Sequence, residues 1–479
     1  MDASSEQANN SPTVAADPDD PHFLALANRL DAPEYGCSLH VSGDGGAHWT
    51  PVTLPELPAG VDNCYGPEVA IDGRGRIHFL FLGLAGAGHL PVGAFLTTST
   101  DRGRTFPPPH LILEGLNFAA RMAVDPGMGE QGRIHVVWLH AGATPSLGSL
   151  GTSDNPILTA HSDDGGKTFS TPIRVSDPNR RRTVAPALSL GPDHAVHVAY
   201  YDLVDDARDY EGLVGPLWEG TWQLVLASSF DGGAHFRPGV VADPAVVPYE
   251  RVLVIFTMPP PALAASGDRV CLAWGDARDG DADVLARCSS NRGRTWGPAR
   301  RVNDDPAANG LWQYLPRLGI APDGRIDAVF YDRRDDGQNL NNDVSYAFST
   351  DGGKTFSRRL KLTTLGSSSS LVGQRYAIPT GGANRYDFGF RIAVLSRSSD
   401  VLAAWADTSR SPAGTPNQDI LAATALPPSG GHRPLVLIAV VVAVVVVVGA
   451  AVVAVRRPKE PGAEAPAEET PVGSAPAGE

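Results

Sequence analysis

Ser349-Thr-Asp351-Gly-Gly353-Lys-Thr355-Phe356 is the stretch that decides the architecture, because the chain repeats its pattern six times. The other copies run Ser42 to Trp49, Ser99 to Phe106, Ser162 to Phe169, Ser229 to Phe236 and Ser289 to Trp296, the fifth with Asn291 in the Asp place. Their first residues lie 57, 63, 67, 60 and 60 apart, the near-constant period of a repeat architecture. Ser and Asp side chains bond nearby backbone groups and glycine supplies positive φ, so each octet reads as a turn whose closing aromatic packs inward. Runs of β-type residues flank the octets, for example Val92 to Thr98, Trp222 to Ser228 and Val344 to Phe348, which is the pattern of a hairpin.

A second hairpin precedes each octet, as in Val69 to Leu80 around Asp72-Gly-Arg-Gly75, Met122 to Trp138 around Asp125-Pro126, and Leu318 to Tyr331 around Pro322-Asp323-Gly324. Two hairpins make four strands per repeat, A to D. Further A–B hairpins at Pro12 to Asn28, Ala187 to Tyr201, Leu263 to Trp274 and Arg391 to Trp405 bring the total to seven units against six octets. The fold expected is therefore an all-β propeller of seven four-stranded blades, with six as the alternative. The seventh unit stops at Leu426, so residues near 3 to 11 are expected to supply its missing D strand. Gly 52 and Pro 41 suit a turn-rich fold.

The octets resemble the Asp-box, or BNR, repeat of the sialidase superfamily over about residues 11 to 426. The resemblance implies the propeller, with Asp44, Asp101, Asp164, Asp231, Asn291 and Asp351 shaping turns. For the sialidases themselves it implies three arginines that clamp a sialic acid carboxylate, a Tyr nucleophile assisted by Glu, and an Asp acid/base. Their first arginine lies in a Phe/Tyr-Arg-Ile/Leu-Pro motif ahead of the first octet. Here the corresponding strand reads Pro12-Thr-Val-Ala, and the only arginine before Ser42 is Arg29.

Octets are C–D turns, so ligands are expected on the opposite face, among the B–C and D–A loops. Those loops carry Trp274-Gly-Asp276-Ala-Arg278, Phe330-Tyr331-Asp332-Arg333-Arg334 and Trp405-Ala-Asp407-Thr-Ser-Arg410, with a partial version at Tyr200-Tyr201-Asp202. Asp283, Asp343 and Asp419 follow at the start of strand C. Arginine forks match carboxylates, which makes Arg278, Arg317, Arg333 and Arg375 the candidate substrate-binding residues. The same Asp–Arg pairs can instead brace their own loops. The candidate catalytic set is Asp332 (or Asp276) as acid, Tyr376 (or Tyr314, Tyr386) as nucleophile and Glu250 as its assistant, with Glu68, Glu211 and Glu219 as other choices for the Glu. No cofactor is expected. Ca²⁺ is conceivable at the Asp/Asn-rich stretches Asp276 to Asp283 and Asp335 to Asp343, although neither follows a calcium-loop spacing.

Leu435 to Val455 is 21 residues without a charge, long enough at about 1.5 Å per residue to span a bilayer. Arg456, Arg457 and Lys459 follow at once, which places the tail in the cytoplasm and the propeller outside. The organisation expected is a propeller over 1–426, a linker over 427–434, a transmembrane helix over 435–455 and a disordered tail over 456–479. Cys37 with Cys64 and Cys271 with Cys288 are the expected disulfides, in keeping with an oxidising compartment. Met1-Asp-Ala-Ser-Ser-Glu-Gln contains no apolar run. The expected start of the protein therefore lies upstream, the alternative being a tail-anchored protein with a cytosolic propeller. A net charge of −14 argues against a nucleic-acid partner. Two functions follow: a membrane-anchored, extracellular, sialidase-like propeller that recognises glycans, with exo-hydrolysis of sialic-acid-like sugars if enzymatic, or a non-catalytic adhesion or protein-binding propeller.

Overall fold

The computed structural model describes residues 8–31, 34–86, 88–129, 131–141, 154–204, 221–249, 259–363, 388–409, 418–427 and 442–443. They form seven antiparallel four-stranded sheets in chain order, each strand beside the next in sequence. Sheet 1 comprises β1 (Asn9–Ala16), β2 (Leu24–Leu30), β3 (Gly36–Ser42) and β4 (Thr50–Pro51). Sheets 2 to 6 begin with β5 (Asn63–Ile71), β9 (Asn117–Asp125), β13 (Thr183–Leu190), β17 (Ala262–Ser266) and β21 (Gln313–Ile320), and sheet 7 with β25 (Ala393–Ser396). The first strands of neighbouring sheets pack against one another around the axis, which makes the molecule a seven-bladed propeller.

The second strands are the most buried: Trp138, Trp274 and Trp405 lie within them, nearly inaccessible to water. Their apolar runs have no polar alternation because neighbouring blades cover both faces of each sheet.

All six octets fold alike. In the second, Ser99 Oγ bonds Asp101 Oδ1 at 2.8 Å and accepts from Gly103 N at 2.8 Å, while Asp101 accepts from Thr105 N and Oγ1 at 2.9 and 2.6 Å. Asn291 preserves the turn by donating Nδ2 to Thr295 Oγ1 at 2.8 Å. The later glycine of each octet has positive φ and faces the preceding blade. A methyl group added at Gly353 would lie 2.5 Å from Cys288 Sγ, and one at Gly166 would lie 2.4 Å from Leu96 Cδ2. The octet is therefore a turn and a spacer between blades.

The ring closes differently from expectation. Asn9–Ala16 is not the D strand of the last blade; it is the first strand of sheet 1, in register with β2 from Asn9 opposite Leu30. Ala8 reaches across to Gln418 by one parallel bridge, and Asn9 donates its N and Nδ2 to Gln418 O at 2.9 and 3.0 Å; residues 3 to 7 of the expected closing segment lie outside the described residues. The fourth place in sheet 7 is held by β28 (Val442–Ala443), beside Leu421 and Ala422 of β27 (Asp419–Ala425). Those two residues belong to the apolar run Leu435 to Val455, the rest of which lies outside the described residues. No helix among the described residues is long and apolar enough to cross a membrane. Disulfides join Cys37 to Cys64, between sheets 1 and 2, and Cys271 to Cys288, within sheet 5.

Candidate functional site

Five of the seven inner strands, and the segment that leads into the inner strand of sheet 7, carry one irregularity. Ser11, Gly66, Ala119, Ala185, Leu315 and Gly389 all adopt positive φ between 50° and 77°. Ladder registers slip at the same place, as between Tyr65 and Glu68 and between Tyr314 and Arg317. A bulge of this kind re-aims the side chains that follow it. Pro12, Pro67, Pro186 and Pro316 come next, and a proline has no N–H to forfeit there. Two positions after each bulge stand Thr13, Glu68, Arg121, Ala187, Arg317 and Arg391. The inner strands thus deliver three arginines and one glutamate, from sheets 3, 6, 7 and 2, to the axis.

Glu68 Oε1 accepts from Arg121 Nη1 at 3.2 Å and from Arg391 Nη1. Arg391 also donates Nε to Ser11 O at 3.0 Å and Nη2 to Pro67 O, so it fastens sheet 7 to sheets 1 and 2. Its close passage requires Gly389, where a Cβ would stand 2.1 Å from Ser11 Oγ. Arg317 feels the charges of Glu68 and Arg391. It makes no hydrogen bond to any described residue. Burial lowers the Arg121 pKa to about 10; Glu68 opposes the shift, and Arg391 and Arg317 add to it. Burial lowers Arg317 in the same way. The three cations exceed the single carboxylate, leaving positive charge in a confined place.

Phe390 sits among these groups, its ring 5.1 Å from the Arg29 guanidinium and 5.6 Å from that of Arg121. Arg29 is neutralised by Asp31 at 2.6 Å and donates Nη1 to Tyr65 Oη at 2.7 Å. Tyr65 stands three residues before Glu68 on β5, so a phenol and a carboxylate share one strand at the channel mouth. The bulges lie toward the N-terminal ends of the inner strands, on the face of the B–C and D–A loops where ligand entry is expected.

The sequence-predicted residues divide. Arg317 belongs to this cluster. Arg278 does not: it donates to Asp276 Oδ2 at 2.6 Å and Asp243 Oδ1 at 2.9 Å. Burial opposes its charge, and these carboxylates outweigh burial and raise its pKa. Arg333 bonds Asn342 Oδ1 at 2.9 Å, Asn339 O at 2.8 Å and Tyr314 Oη at 3.2 Å. Asp332 is buried and accepts from Ser345 Oγ at 2.7 Å and Arg334 Nε at 2.7 Å. Asp276 is buried as well, taking the indole N–H of Trp274 at 2.7 Å. Tyr314 is fully buried with its hydroxyl on Asn342 at 2.6 Å. The recurring aromatic–Asp–Arg signature thus braces loops at these positions. Arg375, Tyr376, Tyr386, Glu211, Glu219 and Glu250 lie outside the described residues. Among the described residues no group of three or more His, Cys, Asp or Glu is arranged to hold a metal ion.

Arg121, Arg391 and the role of Glu68 were not singled out from the sequence. The signal that points to them is the tetrad aromatic, positive-φ residue, proline or small/aromatic residue, charge: Tyr65-Gly-Pro-Glu68, Phe118-Ala-Ala-Arg121, Tyr314-Leu-Pro-Arg317 and Phe388-Gly-Phe-Arg391.

No protein-family model matches the sequence, and no curated protein sequence does. Among solved structures, an ulvan-degrading polysaccharide lyase matches over 88% of this chain and 94% of its own, at 12% identity and TM-score 0.49. A sialidase of Streptococcus pneumoniae matches over 88% and 68%, at 10% identity and TM-score 0.41. An α-L-arabinanase of Penicillium chrysogenum matches over 78% and 97%, at 14% identity and TM-score 0.42. At this level of likeness the propeller rests on the chain's own seven sheets, and the site on its own residues.

Proposed function

We propose that this protein recognises acidic glycans at the mouth of its central channel, with Arg317 and Arg121 receiving a carboxylate and Arg391 and Glu68 holding those arginines in place. The observation that carries this reading is Arg317, a guanidinium in an arginine-rich channel with no hydrogen-bond partner among the described residues. Arg317 is half-buried and its guanidinium is open to the channel, and a planar fork of this kind suits a carboxylate. The uncharged run Leu435 to Val455 and the basic residues after it are the sequence features that would anchor the protein in a membrane with the propeller outside, an arrangement that requires Val442–Ala443 to leave sheet 7.

Hydrolysis of a sialic-acid-like sugar is the enzymatic form of this proposal, and it needs a nucleophile beside the carboxylate subsite. Tyr65, joined to Arg29 and three residues from Glu68, is the phenol in place for that role. One observation favours the alternative, a non-catalytic binding propeller: Glu68 is already engaged by two arginines, which leaves it poorly suited to take a proton from Tyr65.

The test is incubation of the purified protein with a fluorogenic α-sialoside and a panel of uronides and neutral glycosides, alongside direct binding of the free acidic sugars. Release that Arg317→Ala abolishes supports the hydrolase. Binding without release supports the recognition module. Absence of both from a folded sample refutes the acidic-glycan reading.

A further inference from the structure

We propose that the arginine subsite continues outward, along the junction of sheets 1 and 2, into a second subsite where Tyr35 and His89 receive a neighbouring sugar ring. The ligand is then an acidic oligosaccharide of at least two units. This rests on the reading of the arginines given above and adds the length of the ligand to it.

A line of contacts leads from the axis to the rim. The Arg29 guanidinium lies 5.1 Å from the Phe390 ring and 4.8 Å from the ring of Tyr65. Tyr65 meets Tyr35 edge to face at 5.5 Å and 88°, and Tyr35 meets His89 edge to face at 5.1 Å and 89°. Exposure rises along the line: Arg29 is buried, Tyr65 half-buried, and Tyr35 is 36% exposed beside an exposed His89.

Tyr35 and His89 stand in the loops that follow the second strands of sheets 1 and 2, on the ligand-facing side of the molecule. Both are anchored by one buried residue. Asn63 donates Nδ2 to Tyr35 O at 3.2 Å, and its Oδ1 pairs with His89 Nδ1 at 3.1 Å. The Cys37–Cys64 disulfide lies two residues from Tyr35 and one from Asn63 and Tyr65, so the two loops are covalently fastened beside the aromatics.

An exposed tyrosine on an unconstrained loop would lose side-chain freedom on binding. Here the Asn63 bond and the disulfide hold the backbone at Tyr35 and two edge-to-face contacts support its ring, which reduces the ordering cost a preorganised platform must avoid. An aromatic with a solvent-facing surface and a polar edge suits the apolar face of a pyranose.

The experiment is titration calorimetry on the full chain with N-acetylneuraminic acid and 3′-sialyllactose, and with galacturonic acid and digalacturonic acid. For at least one pair, the longer ligand is expected to bind about tenfold more tightly. Tyr35→Ala should erase that advantage while leaving the monosaccharide affinity unchanged, and Tyr35→Phe should keep it. Arg317→Ala should remove binding of both members of the pair. Equal affinity for short and long ligands, or a Tyr35→Ala effect shared by both, overturns the second subsite while leaving the arginine subsite standing. Failure of all four sugars to bind the folded native protein overturns the acidic-sugar reading, and this inference with it.

Discussion

Replacing Glu68 by Gln removes the charge from the centre of the arginine cluster and nearly preserves its shape. Glu68, Arg121 and Arg391 are each about 5–6% exposed, so water screens their interactions poorly. A unit charge pair at 4 Å is worth about 4 kcal/mol at an effective dielectric of 20, and Glu68 serves two arginines. Part of that is returned because a buried carboxylate no longer has to be desolvated. Removing one partner of a buried ionic group typically costs about 3–5 kcal/mol, and Glu68→Gln should fall in that range. The guanidiniums that remain then repel one another with no internal counter-ion. Chemical denaturation should show the loss, and added acetate or sulfate should restore part of it in the variant far more than in the native protein, by binding where the carboxylate stood. Arg317→Ala is the control. It gives up no hydrogen bond and trades an attraction to Glu68 against repulsion from Arg391 and Arg121, so its stability should stay close to the native value. If Glu68→Gln matches the native protein at low ionic strength and ignores added anions, the charge argument for this site is wrong.

Arg391→Ala should destabilise the fold by about 3–5 kcal/mol in the same denaturation assay, because it leaves Glu68 short of a partner and frees two backbone carbonyls in the interior. His40, His135 and His197 are buried, and burial lowers each pKa to about 4. Their folded values lie below the unfolded value near 6.5, so stability is complete above that pH and should fall steadily between about 6.5 and 4; a flat stability profile across that window would contradict this burial. Asp101 and Asp351 are lowered to about 2. For Asp101 the Thr105 hydroxyl is the main cause; for Asp351 burial pushes the other way, and hydrogen bonds from Thr355, Ser349 and Lys354 together outweigh it. The turn support they provide should persist from neutral pH to about 4 and fade toward 2, and Asp351→Asn, which imitates the octet containing Asn291, should fold with that acid response weakened. Gly353→Ala should lower the melting temperature, since φ is +83° and the new methyl meets Cys288.

The octets were legible because their chemistry is local: a Ser, an Asp and a glycine eight residues or fewer apart dictate a turn whatever surrounds them. Their spacing then implied the sheets, and a seventh A–B–C unit, ending at Leu426 without an octet, implied a seventh blade. The channel arginines were hidden because what matters about them is not local. Arg121 sits in a strand that reads as ordinary apolar β-structure and Arg391 in the segment just before one, and only the positive-φ residue at Ala119 or Gly389 turns them inward. Exposed-looking loop residues drew attention instead. Arg278 and Arg333 have the right chemistry for a ligand, but their partners, Asp243 and Asn342, come from elsewhere in the chain, 35 and 9 residues away. The closing strand was misplaced for a similar reason: sequence showed that sheet 7 needed a fourth strand but not which segment would fill it.

Arg325 gives the ring an address for its seam. At four other junctions an arginine at the A–B turn of one blade reaches the glycine that follows the Asp of the next blade's octet: Arg397 donates to Gly45 O at 3.1 Å and Arg133 to Gly232 O at 2.9 Å, while Arg76 and Arg269 lie against Gly165 and Gly352. Sheet 7 has no octet. Arg325 of sheet 6 turns instead to the carbonyls of Arg397 and Ser398, at 2.9 and 3.3 Å. Blades 6 and 7 are therefore latched by an arginine gripping bare backbone, without the glycine wedge that spaces the other junctions. A circle with one dissimilar clasp has a preferred place to open, and new chain ends introduced between sheets 6 and 7 should disturb this propeller less than ends introduced at a junction spaced by an octet.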